Sequence, residues 1–174
     1  MRDNIDLVIF GSQGDLAKRK LLPALYRLDK ADLLPDNARI ASVARHQIST
    51  NIYLNQVQEN LQQVIPKKEW DNKVWTRFKR RIYYVKVDFS QKKQFNHVSD
   101  WMEENRKVIF YLATPPSLYE SICKHMASTG CVSENTRIVL EKPIGHDLRS
   151  SKQVNDAVGQ YFPEKNIFRI DHYL

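Results

Sequence analysis

The sequence is poor in cysteine and contains no long apolar run. Its 174 residues include two cysteines, Cys123 and Cys131, whose spacing fits no zinc pattern and which are too few for a disulfide framework. We therefore expect two reduced thiols in a cytoplasmic protein, and no metal site. The sequence has no stretch of about 18 apolar residues, so we expect no transmembrane helix. No cleavage-like pattern of small residues follows Met1, so we expect no signal peptide.

Acidic residues are in deficit. The chain has 27 Lys and Arg against 20 Asp and Glu, a formal net charge of +7. This balance suits either nucleic acid or a small ligand that carries phosphate. The basic residues are scattered in short groups, and no motif of alternating aromatic and basic residues indicates RNA binding. We therefore expect a phosphate-bearing small molecule as the partner, and neither nucleic acid nor a membrane.

Short apolar runs alternate with stretches of helical spacing along the whole chain. The predicted strands are residues 5–10, 39–44, 82–87, 107–113, 136–140 and 166–170. The predicted helices are residues 15–29, with a kink or break at Pro23, and residues 50–64, 68–80, 91–104, 117–128 and 147–161. This order predicts one α/β domain over residues 1–174, with a Rossmann-like, doubly wound and mainly parallel sheet. Ligands of such a sheet bind at the carboxyl ends of its strands.

A glycine turn, Gly11-Ser12-Gln13-Gly14, joins the first predicted strand to the first predicted helix. Glycines allow the backbone to bend sharply and approach a pyrophosphate, whose charge the N–H groups at the helix start can bind. The spacing departs from G-x-G-x-x-G, because Leu16 stands where the third glycine would be. A plain strand-to-helix turn is the alternative interpretation, and the repeated strand–helix order favours dinucleotide binding.

The second predicted strand ends without a carboxylate, in Val43-Ala44-Arg45-His46. Domains specific for NAD usually carry an acidic residue at this place for the ribose hydroxyl, whereas an arginine suits the 2′-phosphate of NADP. A guanidinium holds phosphate through paired charge-assisted hydrogen bonds, and its planar face can stack on adenine. Arg45 therefore predicts NADP as the cofactor, the alternative being an ordinary solvated arginine.

Three motifs resemble those of the glucose-6-phosphate dehydrogenases. Residues 11–25, GSQGDLAKRKLLPAL, resemble the opening fingerprint of that family, residues 141–145, EKPIG, are similar to its EKPxG turn, and residues 169–174, RIDHYL, look like the start of its RIDHYLGKE substrate motif. The resemblance spans residues 6–174. It implies an oxidoreductase of the oxidative pentose phosphate pathway, which transfers a hydride from C1 of glucose 6-phosphate to NADP⁺ and works as a homo-oligomer.

The resemblance also implies roles for the matching residues. The implied cofactor contacts are Gly11, Ser12, Gln13, Gly14, Asp15, Leu16, Arg45, Asp88, Tyr119 and Lys142. The implied substrate contacts are Lys20, Lys142, His172 and Tyr173, and a catalytic part is implied for Lys142 and for Asp171, which would orient a histidine base. Gln13 departs from the family pattern, in which a serine or threonine at this place often helps to hold the 2′-phosphate.

The family resemblance implies a second, larger α+β domain that carries the histidine base. Because the substrate motif of the family continues beyond the equivalent of Leu174, we expect this sequence to be cut within it, to bind NADP weakly and to turn over no substrate alone. Two other functions stay open: an NADP-dependent dehydrogenase of unphosphorylated sugars in which the EKP lysine is catalytic, and a nucleotide-binding module without enzymatic activity.

Overall fold

The structure, a computed structural model, describes residues 4–141 and 148–171. Strands and helices alternate along these residues, which confirms the predicted α/β class. The strands are β1 (Ile5–Phe10), β2 (Arg39–Ala44), β3 (Ile82–Lys86), β4 (Lys107–Leu112), β5 (Thr136–Glu141) and β6 (Ile167–Ile170). The α-helices are α1 (Leu22–Lys30), α2 (Thr50–Val64), α3 (Asn72–Lys79), α4 (Asn96–Trp101), α5 (Tyr119–Ser128) and α6 (Leu148–Gly159).

All strand pairs in the sheet are parallel, and the strand order is β3-β2-β1-β4-β5-β6. β1 lies in the middle, where Val8 is aligned with Ala41 of β2 on one side and with Phe110 of β4 on the other. The chain builds outward from β1 to β3 and then crosses to β4, so the connections reverse direction between β1 and β4. This reversal confirms the doubly wound sheet and opens a crevice at the carboxyl ends of the two strands.

Both faces of the sheet are covered by helices. Successive residues of a strand point to opposite faces, so Val8 and Phe10 join a core beneath α5 and α6, whereas Ile9 joins a second core beneath α1, α2 and α3. All three side chains are fully buried. Burial on both faces explains why the strands are near-continuous apolar runs without alternating polar residues.

Buried ion pairs hold the amino ends of the strands, at the edge of the sheet opposite the crevice. The Asp6 carboxylate on β1 accepts hydrogen bonds from Arg39 at 2.9 Å and from Arg106 at 2.7 Å. On α1, Asp29 pairs with Arg77 at 3.1 Å and with Arg81 at 2.9 Å. Both carboxylates are buried, and each is compensated by two guanidinium groups, so neither is left as an uncompensated charge.

Two predicted helices are clearly shorter in the structure. The helix predicted over residues 68–80 begins at Asn72, because Asp71 caps it by accepting hydrogen bonds from the N–H groups of Lys73 and Val74. The helix predicted over residues 91–104 is a 3₁₀ turn, Lys92–Phe95, followed by α4. α4 ends at Trp101, whose carbonyl accepts a hydrogen bond from Arg39 at 3.3 Å.

The helix predicted over residues 15–29 is interrupted as Pro23 indicated. A π-helical turn, Ala17–Leu21, precedes α1, and Pro23 lies in the first turn of α1. The helix predicted from residue 147 is described from Leu148 onward. In the part of the chain that the structure describes, no helix has both the length and the apolar character needed to cross a bilayer.

Candidate functional site: the carboxyl edge of the sheet

The glycine turn that follows β1 is held by the backbone of its neighbours. Gly11 has a φ of 84°, and a Cβ at this position would lie 2.6 Å from the carbonyl oxygen of Ala113. The N–H groups of Gly11 and Ser12 both donate to the carbonyl of Val43, at 3.0 and 3.2 Å. The positive φ and the lack of space for a Cβ thus both require glycine at position 11. The hydrogen bonds to Val43 and the close approach to Ala113 hold the turn against the ends of β2 and β4.

Helical structure begins directly after the turn. The N–H of Lys18 donates to the carbonyl of Gly14 at 3.1 Å, and the backbone is helical from Asp15 onward. The N–H groups of Asp15, Leu16 and Ala17 precede this bond, so they have no acceptor within the helix. They form the positive end of a helix that starts in the crevice between β1 and β4, a geometry that suits the negative charge of a pyrophosphate.

The π turn after this helix start has a cause in the sequence. The N–H of Leu22 donates to the carbonyl of Ala17, five residues back, so it does not reach the carbonyl of Lys18. The next residue, Pro23, has no N–H to offer. The side-chain amide of Asn60 on α2 supplies the missing donor, 2.6 Å from the Lys18 carbonyl oxygen. α2 therefore braces the segment that carries the predicted cofactor and substrate residues.

The predicted residues of the turn differ in what they expose. The side chain of Ser12 is buried, and its carbonyl accepts a hydrogen bond from the Tyr53 hydroxyl at 3.5 Å. Leu16 is half-buried and packs against the core beneath α1 and α2. Asp15 is exposed and lies 4.0 Å from Arg19. The side chain of Ser12 is therefore enclosed by the turn, and a ligand can reach only its backbone, whereas part of the Leu16 side chain stays exposed.

Two side chains meet at the carboxyl ends of β1 and β2. The Nδ1 of His46 lies 2.6 Å from the Oε1 of Gln13, and the Tyr84 hydroxyl donates to the His46 carbonyl at 2.7 Å. Arg45, next to His46, is exposed. A groove of about 560 Å³ begins at this contact, and its lining residues are Gln13, Lys18, His46, Ile48, Gln56, Glu59, Asn60 and Gln63. The sequence interpretation overlooked the contact between Gln13 and His46.

Asp88 follows β3 at the same edge of the sheet. Its carboxylate accepts hydrogen bonds from the hydroxyl of Ser90 at 2.8 Å and from the N–H of Ser90 at 3.0 Å. These bonds hold the pKa of Asp88 below its usual range, and the positive charges of Arg45 and Lys86 act in the same direction. Asp88 is therefore an ionised acceptor whose charge is stabilised by that of Arg45.

Two tyrosines connect the carboxyl ends of β4 and β5. The Tyr119 hydroxyl lies 3.5 Å from the carbonyl oxygens of Leu112 and Glu141, and burial raises its pKa. The Tyr111 hydroxyl donates to the carboxylate of Glu141, and burial together with this bond raises the pKa of Tyr111. Tyr119 is only 1% exposed, so it holds two strand ends together and has almost no surface for a ligand.

The remaining predicted site residues lie at the rim or outside the described part. Lys20 is exposed on the π turn, and Asp171 is exposed directly after β6. Lys142, His172 and Tyr173 fall outside the described residues. The Thr114 hydroxyl is shielded from solvent and has no hydrogen-bond partner among the described residues. Within residues 4–141 and 148–171, no cluster of three or more metal-ligating side chains occurs.

A doubly wound parallel sheet with a glycine turn and a helix start at its central crevice defines a dinucleotide-binding domain of the Rossmann type. The family described as "Glucose-6-phosphate dehydrogenase, NAD binding domain" matches residues 8–174. The chain belongs to this family.

Individual relatives agree with the family match. The chain is 42% identical over 178 residues to the glucose-6-phosphate 1-dehydrogenase of Mycolicibacterium smegmatis, covering 99% of this chain and 36% of that protein. It is 39% identical to the enzyme of Dickeya dadantii, covering 97% of this chain and 34% of that protein. The chain thus spans about a third of the length of these relatives.

Solved structures show the same architecture. The crystal structure of glucose-6-phosphate 1-dehydrogenase from Mycobacterium avium superposes with a TM-score of 0.90 at 30% identity, over 98% of this chain and 36% of that one. A glucose-6-phosphate dehydrogenase in complex with its substrate glucose-6-phosphate superposes with a TM-score of 0.85 at 27% identity, over 98% of this chain and 37% of that one. These similarities confirm the predicted family and fold.

Proposed function

We propose that this chain is the cofactor domain of an NADP-dependent glucose-6-phosphate dehydrogenase. In the whole protein, it would hold NADP⁺ while a hydride leaves C1 of glucose 6-phosphate, giving a phosphogluconolactone. The observation that carries the proposal is the backbone cradle at Gly11, the turn at the start of a helix. There φ is positive and an added Cβ would lie 2.6 Å from the Ala113 carbonyl oxygen, so the turn keeps its conformation only with glycine. Membership in the dehydrogenase family supports the same function.

The cradle fits the pyrophosphate of a dinucleotide. The N–H groups of Asp15 and Leu16 have no acceptor within the helix, and Gly14 adds no side chain between them and the crevice. A bound nicotinamide supplies the redox chemistry, and these residues supply position and electrostatic stabilisation.

Arg45 and Asp88 suit the adenosine half of NADP. The segment directly after β2 contains no Asp or Glu side chain that could bind the ribose hydroxyl. The guanidinium of Arg45 is exposed there and is available for a 2′-phosphate. Asp88 is an ionised acceptor near the charge of Arg45, since two hydrogen bonds from Ser90 keep the pKa of Asp88 low. We propose that Asp88 orients the guanidinium and that Arg45 selects NADP over NAD.

The substrate side is proposed from the family resemblance together with the parallel sheet. β5 and β6 end at the same edge of the parallel sheet, at Glu141 and Ile170. Lys20, Lys142, His172 and Tyr173 would bind the sugar phosphate, and Asp171 would orient the base that removes the C1 hydroxyl proton. A carboxylate beside an imidazole stabilises its charged form.

We also propose the cellular setting of the whole protein. The two cysteines are buried free thiols, which suits the reducing cytoplasm. The family resemblance supports a homo-oligomer that works in the oxidative pentose phosphate pathway. Sedimentation of the whole protein at several concentrations tests the oligomer, and a monomer throughout would contradict it.

Calorimetric titration with NADP⁺ and with NAD⁺ tests the proposed function. We expect NADP⁺ to bind more tightly, and Arg45→Ala to weaken NADP⁺ by about 10- to 100-fold, as for one lost charge-assisted contact, with little effect on NAD⁺. Arg80→Ala is the matched control, because it removes an exposed arginine near the amino end of β3, away from the crevice.

Each outcome of this titration has a definite meaning. A loss of NADP⁺ affinity in Arg45→Ala alone supports the proposed cofactor site. An equal loss for both nucleotides, or an equal loss in Arg80→Ala, contradicts the role of Arg45 as the selector of the 2′-phosphate. Absence of binding by a folded chain to either nucleotide contradicts a cofactor site formed by this chain by itself.

A further inference from the structure

We propose that the π turn at Ala17–Leu21 directs Lys20 toward the substrate, and that Asn60 on α2 is the positioning residue that holds this turn. The inference rests on the proposed function, since it takes Lys20 as one of the residues that bind the sugar phosphate. Two observations carry it. One is the hydrogen bond from Asn60 to the Lys18 carbonyl, and the other is the spacing of the apolar residues around the basic run.

Three pairs of apolar residues attach this segment to the core beneath α1, α2 and α3. In each pair one residue is buried and the other is half-buried against the same core, and the pairs are Leu16 with Ala17, Leu21 with Leu22, and Leu25 with Tyr26. The second and third pairs are four residues apart, the spacing of side chains on one face of an α-helix. The first and second pairs are five residues apart, and the π turn accommodates the additional residue.

The additional residue gives Lys20 its place on the exposed side. Pairs that are four residues apart leave two positions between them, whereas Lys18, Arg19 and Lys20 all lie between the pairs that the π turn separates. In a continuous α-helix, position 20 would follow position 16 on the face that packs against the core. Lys20 is instead exposed, as is Arg19. The exposure of Lys20 is therefore a consequence of the π turn.

Asn60 supplies a hydrogen bond that only the π arrangement needs. In a continuous α-helix, the N–H of Leu22 would donate to the carbonyl of Lys18. In the π turn it donates to the carbonyl of Ala17, and the side-chain amide of Asn60 donates to the Lys18 carbonyl at 2.6 Å. The bond from α2 therefore favours the π arrangement over the α arrangement.

The donor is firmly placed, whereas Lys20 depends on its backbone. Val57 and Leu61, close to Asn60 on α2, are both buried in the core, so the helix that carries the amide is fixed. Lys20 forms no ion pair with another described residue, so its direction follows from the turn. Lys20 and Asn60 line one cavity of about 470 Å³ between the turn and α2. Loss of the amide should therefore displace the Lys20 ammonium.

The experiment is steady-state kinetics of the whole protein, with glucose 6-phosphate and NADP⁺ varied in turn. For Asn60→Ala, we expect the KM for glucose 6-phosphate to rise about tenfold, as for one misplaced charge-assisted contact, with kcat within about twofold of the wild type. The KM for NADP⁺ should change little, because the backbone of β2 and β4 holds the glycine turn separately.

Two further variants of α2 control for the general effect of a substitution. Gln62→Ala, an exposed change on the same helix, should keep the wild-type constants. Asn60→Gln keeps an amide donor on a longer stem, so it should recover part of the loss, and it replaces the alanine variant if that one fails to fold. Circular dichroism of each variant shows whether it is folded.

A double-mutant cycle with Lys20→Met separates positioning from a purely structural role. If Asn60 acts through Lys20, then Asn60→Ala should raise the KM for glucose 6-phosphate no further in a chain that carries Lys20→Met. An equal rise with and without Lys20 overturns the inference, and so does an unchanged KM in a folded Asn60→Ala protein. In both cases the activity of the wild type leaves the proposed function standing. A wild type that does not oxidise glucose 6-phosphate contradicts the proposed function, and the inference with it.

Discussion

At the scale of single residues, a glycine can be required for two reasons: a positive φ, or a lack of space for a Cβ. Three glycines of this chain differ in which of these reasons applies. Gly11 has both a positive φ and a blocked Cβ position, Gly130 has a φ of 77° with open space, and Gly159 has open space at the end of α6. Substitution by alanine therefore adds strain and collision at the first, strain alone at the second, and neither at the third. The three sites form a graded series within one chain.

We predict that Gly11→Ala lowers the free energy of unfolding by more than about 2 kcal/mol, since the carbonyl of Ala113 must move. Gly130→Ala should lower the free energy of unfolding by about 1 kcal/mol, because the alanine must adopt a left-handed backbone conformation but meets no other atom. Gly159→Ala should lie within about 0.5 kcal/mol of the wild type or stabilise it. Urea denaturation measures all three.

The same series tests the cradle. Gly11→Ala should also weaken nucleotide binding, since the shift of the turn displaces the backbone that approaches the pyrophosphate, whereas Gly130→Ala should leave binding unchanged. Equal losses of stability at Gly11 and Gly130 would show that the contact with Ala113 relaxes freely, and would remove the steric part of the argument.

At the scale of elements, the π turn before α1 depends on a residue of another helix. Asn60 is the donor that replaces the missing N–H of Pro23 at the carbonyl of Lys18. We predict that Asn60→Ala costs about 1–3 kcal/mol of stability, the penalty for an unsatisfied carbonyl. Gln62→Ala, an exposed residue of the same helix, is the control and should be near neutral.

A double-mutant cycle isolates the cause. In a Pro23→Ala background the restored N–H can reach a carbonyl of the turn, so Asn60→Ala should cost less there than in the wild type. A coupling energy near zero would mean that Asn60 stabilises the segment in some way other than by donating a hydrogen bond to the Lys18 carbonyl. Denaturation of the four chains under one set of conditions provides the cycle.

The positions of the strands could be read from the sequence, whereas several helix ends could not. The predicted strands agree with the structure to within one residue at each end, because strands buried on both faces are continuous apolar runs. The starts and ends of α3 and α4 depend on partners distant in sequence. Tyr26 contacts the backbone of Asp71, 45 residues away, and Arg39 caps Trp101, 62 residues away.

The candidate site shows the same division. The glycine turn, and the place of Arg45 at the end of β2, could be predicted from local patterns, since a tight turn and the end of a strand are encoded by adjacent residues. The pairs Gln13–His46, Lys18–Asn60 and Tyr111–Glu141 join residues separated by 33, 42 and 30 positions. No local pattern marks such contacts, because the parallel sheet brings the carboxyl ends of separate strands to one edge. Tyr119, assigned to the cofactor by resemblance, is buried between strand ends.

At the scale of the whole molecule, the two-sided core makes the protein sensitive to alkali. Burial raises the pKa of the Cys123 thiol to about 12, and burial also raises the pKa of Cys131. In the unfolded chain a thiol ionises near about pH 8.5. The stabilising contribution is therefore complete below about pH 8.5 and is lost as pH rises toward the pKa of the folded state.

We predict that the free energy of unfolding falls between pH 8 and pH 10, with Cys123 contributing on the order of 1–2 kcal/mol of the decrease. Cys123→Ala should make this decrease smaller, whatever it costs at pH 8. Ser128→Ala, an exposed change on the same helix, should keep the wild-type decrease. An identical pH dependence in Cys123→Ala and the wild type would contradict the role of the buried thiol.

The central place of β1 has a consequence for how the protein is made. One partner of the Asp6 carboxylate, Arg39, lies 33 residues away, and the other, Arg106, lies 100 residues away. β1 leaves the ribosome before β2 and well before β4, so it can pair early with β2 on one side and keeps its other edge open until β4 has been synthesised. Throughout that interval the growing chain carries an apolar strand edge, so translation rate and chaperone capture act on the same strand that later supports the glycine turn.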